Sequence, residues 1–227
     1  MPMSENLQQG IREYLHVLPD EQWYEKKKFY SFVPEQKRNH LLAVFKGAKV
    51  SYKLFEGIQA ENELLEMESR TQVLGYASVI ELGIDSFLQQ YLSKTPEYLR
   101  LTTGTQSTKP LSIPHQLSQD IRTTLPNVFL HSTDQIVITK LKSVTIPWKK
   151  IRFENKVGVL TDHNVFPVEF SEQVIKVYSA RNMIHIAAEI QHSEDTRFNL
   201  KLAELAERSC EGTSTYINQY IKKNSLH

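Results

Sequence analysis

The sequence predicts a mainly α-helical protein, built as an antiparallel helical bundle. Two long apolar stripes recur at helical spacing, one at about residues 72–92 and one at about residues 168–192. Helices of that length, with stripes that wide, pack side by side as the central pair of such a bundle. A segment at about 95–150 has a different composition and interrupts the helical pattern.

Composition places the chain among globular proteins and argues against several classes of function. Its 227 residues are 40% hydrophobic and 23% charged, with a formal net charge of +1. A charge so close to zero gives no overall attraction to nucleic acid or anionic lipid. The first residues lack the layout of a signal peptide, and no apolar run approaches the roughly 18 residues that span a bilayer. We therefore expect a cytoplasmic protein that does not bind a membrane.

The single cysteine, Cys210, excludes an intramolecular disulfide and fits a reducing compartment. A catalytic thiol needs a basic, partly exposed environment. Glu207 and Glu211 flank Cys210 on a predicted helix, so we expect no nucleophilic role for it. P-loop, Rossmann and nucleophile-elbow patterns are absent from the sequence, which leaves nucleotide hydrolysis and acyl transfer without support.

Residues 1–49 predict a helical extension that precedes the bundle proper, which we place at 50–227. Ser4 and Asp20 can each cap a helix, because a serine or aspartate oxygen can accept a hydrogen bond from the first helical turn. Pro34 suits the first turn of a third helix, where a missing N–H costs nothing.

The segment at about 95–150 predicts an insertion rich in proline and threonine. Its early stretch "TTGTQSTKP" (102–110) consists mostly of loop-forming residues. Its later stretch "NVFLHSTDQIVITKLKSVTI" (127–146) has β-branched runs on both sides of a polar "STDQ" turn. We therefore expect a loop first and a β-hairpin afterwards.

The helix predicted at about 168–192 carries charged side chains within its apolar face. Arg181 falls at the centre of the stripe, and His185 lies one turn further along, on its edge. An arginine buried without a partner is strongly unfavourable, so Arg181 must pair with a carboxylate, lie at a subunit interface or line a cleft that receives an anion. Glu81 and Asp85 on the other long helix are candidate partners.

The same two side chains are also suited to chemistry on a phosphate. A guanidinium group suits a phosphoryl group that develops negative charge, and imidazole exchanges protons near neutral pH. Arginine and histidine at this separation are sufficient to cleave RNA, where the 2′-hydroxyl is the nucleophile and no metal is needed. The sequence leaves both interpretations of Arg181 open.

The stretch "YSARNMIH" (178–185), preceded by "KKIRFENKVGVL" (149–160), resembles the signature helix of the HEPN family. The earlier "YASVIELGIDSFLQQYL" (76–92) is similar to that family's first core helix, and the resemblance covers about residues 70–222. It implies an antiparallel bundle that forms a homodimer, with two motifs in one cleft. Many members are metal-independent ribonucleases of toxin–antitoxin and phage-defence systems, and others have lost catalysis.

The resemblance also implies roles for individual residues. Arg181 would hold the scissile phosphate, His185 would transfer protons and Asn182 would support both by hydrogen bonding. The family pattern has four to six residues between arginine and histidine, whereas three stand here. We therefore expect a HEPN-like, metal-independent endoribonuclease that acts on RNA without a cofactor and has a protein antitoxin or regulatory partner. The alternative is a non-catalytic HEPN-like module for dimerisation and protein interaction.

His185, Glu189 and His192 stand at positions i, i+4 and i+7 of the same predicted helix. That spacing can bind zinc, or another metal that accepts nitrogen and oxygen ligands. A second helix would have to supply the remaining ligands, and no second metal-binding motif is present in the sequence. We therefore expect no metal site.

Overall fold

The computed structural model describes residues 3–16, 18–107, 115–116, 120, 140–183 and 198–226. Most of them are helical, which confirms the predicted mainly α-helical bundle. A π-helical turn (Leu88–Leu92) follows α4, and a 3-10 turn (Trp148–Lys150) precedes α6. The α-helices of this part of the chain are α1 (Glu5–Leu15), α2 (Glu21–Lys26), α3 (Glu35–Gly57), α4 (Asn62–Phe87), α5 (Pro96–Thr102), α6 (Phe153–Asp162), α7 (Val168–Asn182) and α8 (Leu200–Lys223).

The chain divides into two compact units, one formed by Met1–Tyr98 with Arg152–His227 and one by Leu99–Ile151. In the smaller unit, β1 (Thr103–Ser107) pairs antiparallel with β2 (Leu141–Thr145). We predicted a loop at 102–110, and this prediction is wrong as far as Ser107, since Thr103–Ser107 form β1. The threonines of this stretch have β-branched side chains, which suit a strand. The predicted "STDQ" turn lies outside the described residues.

Helix α4 is the centre of the larger unit, and its predicted apolar stripe is buried. It packs most extensively against α8 and α3, and less against α7. We predicted the helix at about 168–192 as its main partner, but among the described residues α8 contacts α4 more extensively than α7 does, and its buried face of small residues allows close approach. None of the described helices combines the length and apolarity that a membrane span requires. The buried stripe residues of α4 are Val73, Tyr76, Ala77, Ile80, Ile84 and Phe87.

The directions of the helices follow from their contacts. A short loop joins α3 to α4, which therefore run antiparallel. Phe87 near the end of α4 contacts Tyr220 near the end of α8, and Tyr30 contacts both Gly83 of α4 and Cys210 of α8, which lie further towards the starts of the two helices. Helices α4 and α8 thus run in the same direction.

An aromatic cluster connects the N-terminal segment to this core. Phe45 of α3 is fully buried, and its ring packs against Tyr24, Phe29 and Tyr76 with centroids 4.6–6.1 Å apart. Helix α3 also continues across the boundary that we predicted at residue 49. From Tyr24 onward, the predicted extension therefore shares its core with α4, whereas α1 has no buried residue.

Tyr30 is the side chain that the turn between α2 and α3 places deepest in the interior. Its backbone has a positive φ of 50°, and its hydroxyl donates to the backbone oxygen of Cys210 over 2.9 Å. Its backbone N–H donates to Oγ of Ser214 over 2.8 Å. The ring lies against Gly83 of α4, where an added Cβ would stand only 2.2 Å from Tyr30 Cε1. Glycine at position 83 is what permits this contact.

Helix starts follow the predicted signals with small differences. Asp20 caps α2 as predicted, since its side chain accepts a hydrogen bond from the backbone N–H of Trp23 over 3.0 Å. Ser4 occupies the N-cap of α1 without a side-chain bond. Pro34 and Pro167 lie at the N-caps of α3 and α7, one residue before the first turn.

Candidate functional site

Arg181 lies in the last turn of α7, which ends at Asn182 and has Met183 as its C-cap. We predicted this helix as far as about residue 192. His185, the predicted proton-transfer residue, lies outside the described residues, as do Glu189 and His192 of the alternative metal-binding pattern. The structure therefore places two of the three predicted catalytic residues, Arg181 and Asn182.

The guanidinium group of Arg181 is bound to a carboxylate on α4. Its Nη1 donates to Oε2 of Glu81 over 2.7 Å, and each of the two side chains is 29% exposed. This confirms Glu81 as one of the two partners that the sequence predicted. Because both ends of the pair are partly solvated, we expect it to stabilise the fold modestly, as surface pairs do.

Tyr178 completes the cluster around Glu81. Its hydroxyl donates to Oε1 of Glu81 over 3.2 Å, and the guanidinium carbon of Arg181 lies 5.3 Å from the centre of its ring. The ring of Phe153 on α6 stacks on the ring of Tyr178, and the two centroids are 3.9 Å apart. Burial raises the pKa of Tyr178, and the nearby Glu81 carboxylate raises it further. Tyr178 therefore remains a neutral hydrogen-bond donor at physiological pH.

Asp85, the second candidate partner of Arg181, forms an ion pair with a lysine instead. Nζ of Lys156 on α6 lies 2.9 Å from Oδ1 of Asp85, and the lysine side chain is only 5% exposed. Helix α4 thus presents two carboxylates one turn apart, of which Asp85 binds α6 and Glu81 binds α7. The two ion pairs therefore connect α4 to both α6 and α7.

The arrangement limits what Arg181 can do chemically. A phosphate group would have to compete with Glu81 for the guanidinium, or approach it while a carboxylate already offsets the positive charge. Asn182 is exposed beside Arg181 at the end of the helix. The predicted catalytic arginine is therefore reachable from solvent, but it is already paired.

Neither a reactive thiol nor a metal centre has support in the described part of the chain. Cys210 is fully buried in contact with the Tyr30 hydroxyl, and burial raises the pKa of its thiol well above the usual range. This is the opposite of the setting that activates a thiol. Among the residues that the structure describes, no group of three or more histidine, cysteine or acidic side chains is placed to hold a metal ion.

An apolar groove lies between α1 and α3, and the sequence did not predict it. Its volume is about 490 Å³. The spacing of Leu7, Ile11 and Tyr14 signalled an apolar helix face, but spacing alone does not tell whether such a face is covered. The groove is lined by Met3, Leu7, Gly10, Ile11, Tyr14, Leu54, Phe55, Gly57 and Ile58.

Comparisons of this chain with protein-family models, with curated proteins and with solved structures find no match.

Proposed function

We propose that the protein is a HEPN-like helical module that self-associates and binds protein partners in the cytoplasm, without catalysis. The observation that carries this proposal is the ion pair between Arg181 and Glu81. In a non-catalytic module, the arginine of the HEPN-like motif has a structural partner on the other bundle helix. The sequence resemblance over about residues 70–222 and the mainly helical architecture support the likeness to that family.

Electrostatics also favours a non-catalytic role. The net charge of +1 supplies no long-range attraction for RNA, whose binding is dominated by its phosphate charges. Glu81 offsets the positive charge of the motif's arginine. A phosphate that binds at Arg181 would therefore compete with Glu81, or meet a guanidinium group whose charge Glu81 already offsets.

Helix α1 supports the self-association part of the proposal. An isolated helix of 11 residues is marginal in water, so it needs packing to be stable. Yet α1 buries no side chain within the chain, and Met3, Leu7 and Ile58 of its groove are each more than half exposed. Its Tyr14 hydroxyl donates to Glu56 of α3 over 2.8 Å, which holds the two helices in place around the groove.

We take a second copy of the chain as the occupant of this groove. In a twofold dimer the same patch faces itself, so one exposed apolar face on each copy is sufficient. Burial of the face on both copies would add to the partial packing that α1 has against α3 within one chain. The resemblance to the HEPN family, whose members commonly dimerise, agrees with this choice.

A charge placed in the groove tests the dimer. Ile58 is 63% exposed, so Ile58→Glu should leave the monomer folded but weaken self-association at least about tenfold, because a buried carboxylate without a partner is costly. Val168→Glu is the matched control, since Val168 is 59% exposed and lies at the start of α7, outside the groove. Light scattering after size-exclusion chromatography should give two chain masses for the wild type and the control, and one for Ile58→Glu. A wild-type monomer at high concentration would exclude self-association through this face.

A metal-independent endoribonuclease is the second candidate, and one observation favours it. The Arg181 side chain is 29% exposed and stands next to the exposed Asn182. In this proposal Glu81 orients the guanidinium for a scissile phosphate, His185 transfers protons and dimerisation brings two motifs together. The protein would then belong to a toxin or phage-defence system, with an antitoxin as its partner. RNA cleavage in EDTA that is lost in Arg181→Ala would establish this candidate.

A further inference from the structure

A second cavity, of about 480 Å³, lies between the loop that joins α6 to α7 and the last turns of α8. Its size is within the range of small-molecule sites. Helix α7 has 15 residues and therefore separates this cavity, at its start, from Arg181, at its end, by roughly 20 Å. The lining residues are His163, Asn164, Val165, Phe166, Pro167, Tyr216, Gln219, Tyr220, Lys223 and Asn224.

One part of the cavity wall is aromatic and packs against neighbouring rings. The ring of Tyr216 packs against Phe170 and Phe166, with centroids 4.7 and 6.1 Å apart. Tyr220 meets Phe87 edge to face at 5.8 Å. Both tyrosines remain half-buried, so part of each ring faces the cavity. Rings fixed by their neighbours offer a planar ligand a preformed contact surface.

Another part of the wall is polar and carries a positive charge. Lys223 is exposed there, and the side-chain amides of Asn164 and Gln219 can donate hydrogen bonds, whereas Nδ2 of Asn224 already donates to the backbone oxygen of Tyr220 over 2.9 Å. None of the described lining residues is acidic, and the nearby Glu97 carboxylate lies 3.1 Å from Nε2 of His163. One ammonium group with neighbouring amides matches a monoanion such as a carboxylate, which accepts from both kinds of donor.

We propose that this cavity binds a small aromatic carboxylate, with its ring against Tyr216 and its carboxylate at Lys223. The aromatic wall supplies contact area for a planar ring, and the lysine and amides fix the orientation of the acid group. The site is independent of the Arg181 ion pair and of the groove between α1 and α3.

Calorimetric titration of the full chain with indole-3-acetate tests the proposal. We expect saturable binding, at least about tenfold tighter than that of indole or of acetate alone, since each of these makes only half of the contacts. Lys223→Gln should weaken indole-3-acetate binding about tenfold through loss of a charge-assisted hydrogen bond, and leave indole binding unchanged. Lys222→Gln is the matched control, because it removes the same charge one residue away from the lining. It should bind both compounds like the wild type.

Three results would overturn the assignment. One is a lack of saturable binding at millimolar concentration for indole-3-acetate, phenylacetate and 4-hydroxybenzoate. Another is wild-type affinity in both Lys223→Gln and Gln219→Ala, with circular dichroism showing that each variant is folded. The third is tighter binding of phenyl phosphate than of any carboxylate, since that would assign the cavity to phosphate esters.

Discussion

Phe45→Ala is expected to lower the free energy of unfolding by about 3–5 kcal/mol, the usual cost of truncating a buried phenylalanine. Phe45 is fully buried, and its neighbours come from α2, α4 and the turn after α2. Loss of the ring would leave a cavity between these elements that their fixed backbones cannot close. Urea denaturation followed by circular dichroism measures the change.

Leu64→Ala serves as the control for this prediction. It also shortens a large apolar side chain, but Leu64 is about half exposed on α4, so the change should stay within about 0.5 kcal/mol. A loss in Phe45→Ala no greater than that in Leu64→Ala would show that the N-terminal segment does not share the core of α4.

Gly83→Ala is expected to destabilise the fold by about 3 kcal/mol, because the added methyl group overpacks the interior. The new Cβ would stand 2.2 Å from Cε1 and 2.8 Å from Cδ1 of Tyr30. Tyr30 has little freedom to move, since Cys210 and Ser214 hold its hydroxyl and its backbone N–H. The shift of the thermal midpoint measures the effect.

Gly158→Ala is the matched control for the same substitution. Gly158 also lies within a helix, α6, but an added Cβ would meet nothing within 4 Å. Alanine favours the helix there by up to about 1 kcal/mol, so this variant should gain stability. If Gly83→Ala also gained stability, Tyr30 would not pack against α4 as described.

The sequence predicted those features that depend on local pattern or on the need to pair a charge. Helical spacing identified the buried stripe of α4, and Asp20 marked the start of α2. The cost of an unpaired arginine, combined with the position of Glu81 on the other long helix, gave this ion pair as one of the interpretations that the sequence left open. The first two inferences need the pattern of only one helix, and the third needs only two opposite charges on two predicted core helices.

Features that depend on distant parts of the chain were missed. The choice of α8 over α7 as the main partner of α4 depends on how closely small side chains let two helices approach. Pairing of β1 with β2 joins strands more than thirty residues apart, and "TTGTQS" has few apolar residues to signal it. Whether the groove between α1 and α3 is exposed likewise depends on how the rest of the chain folds, because only a distant segment could cover it.

Incubation of a mixed RNA pool with the protein in EDTA tests most directly whether Arg181 is structural. The proteins compared are the wild type, Arg181→Ala, His185→Ala and Glu81→Gln, with Arg152→Ala as a control for loss of an exposed arginine. Circular dichroism verifies that each is folded, and a known metal-independent ribonuclease is the positive control. If Arg181 serves only to pair with Glu81, none of these proteins cleaves RNA above the buffer level. Cleavage by the wild type and Arg152→Ala, but not by folded Arg181→Ala, would contradict the structural role and establish the ribonuclease.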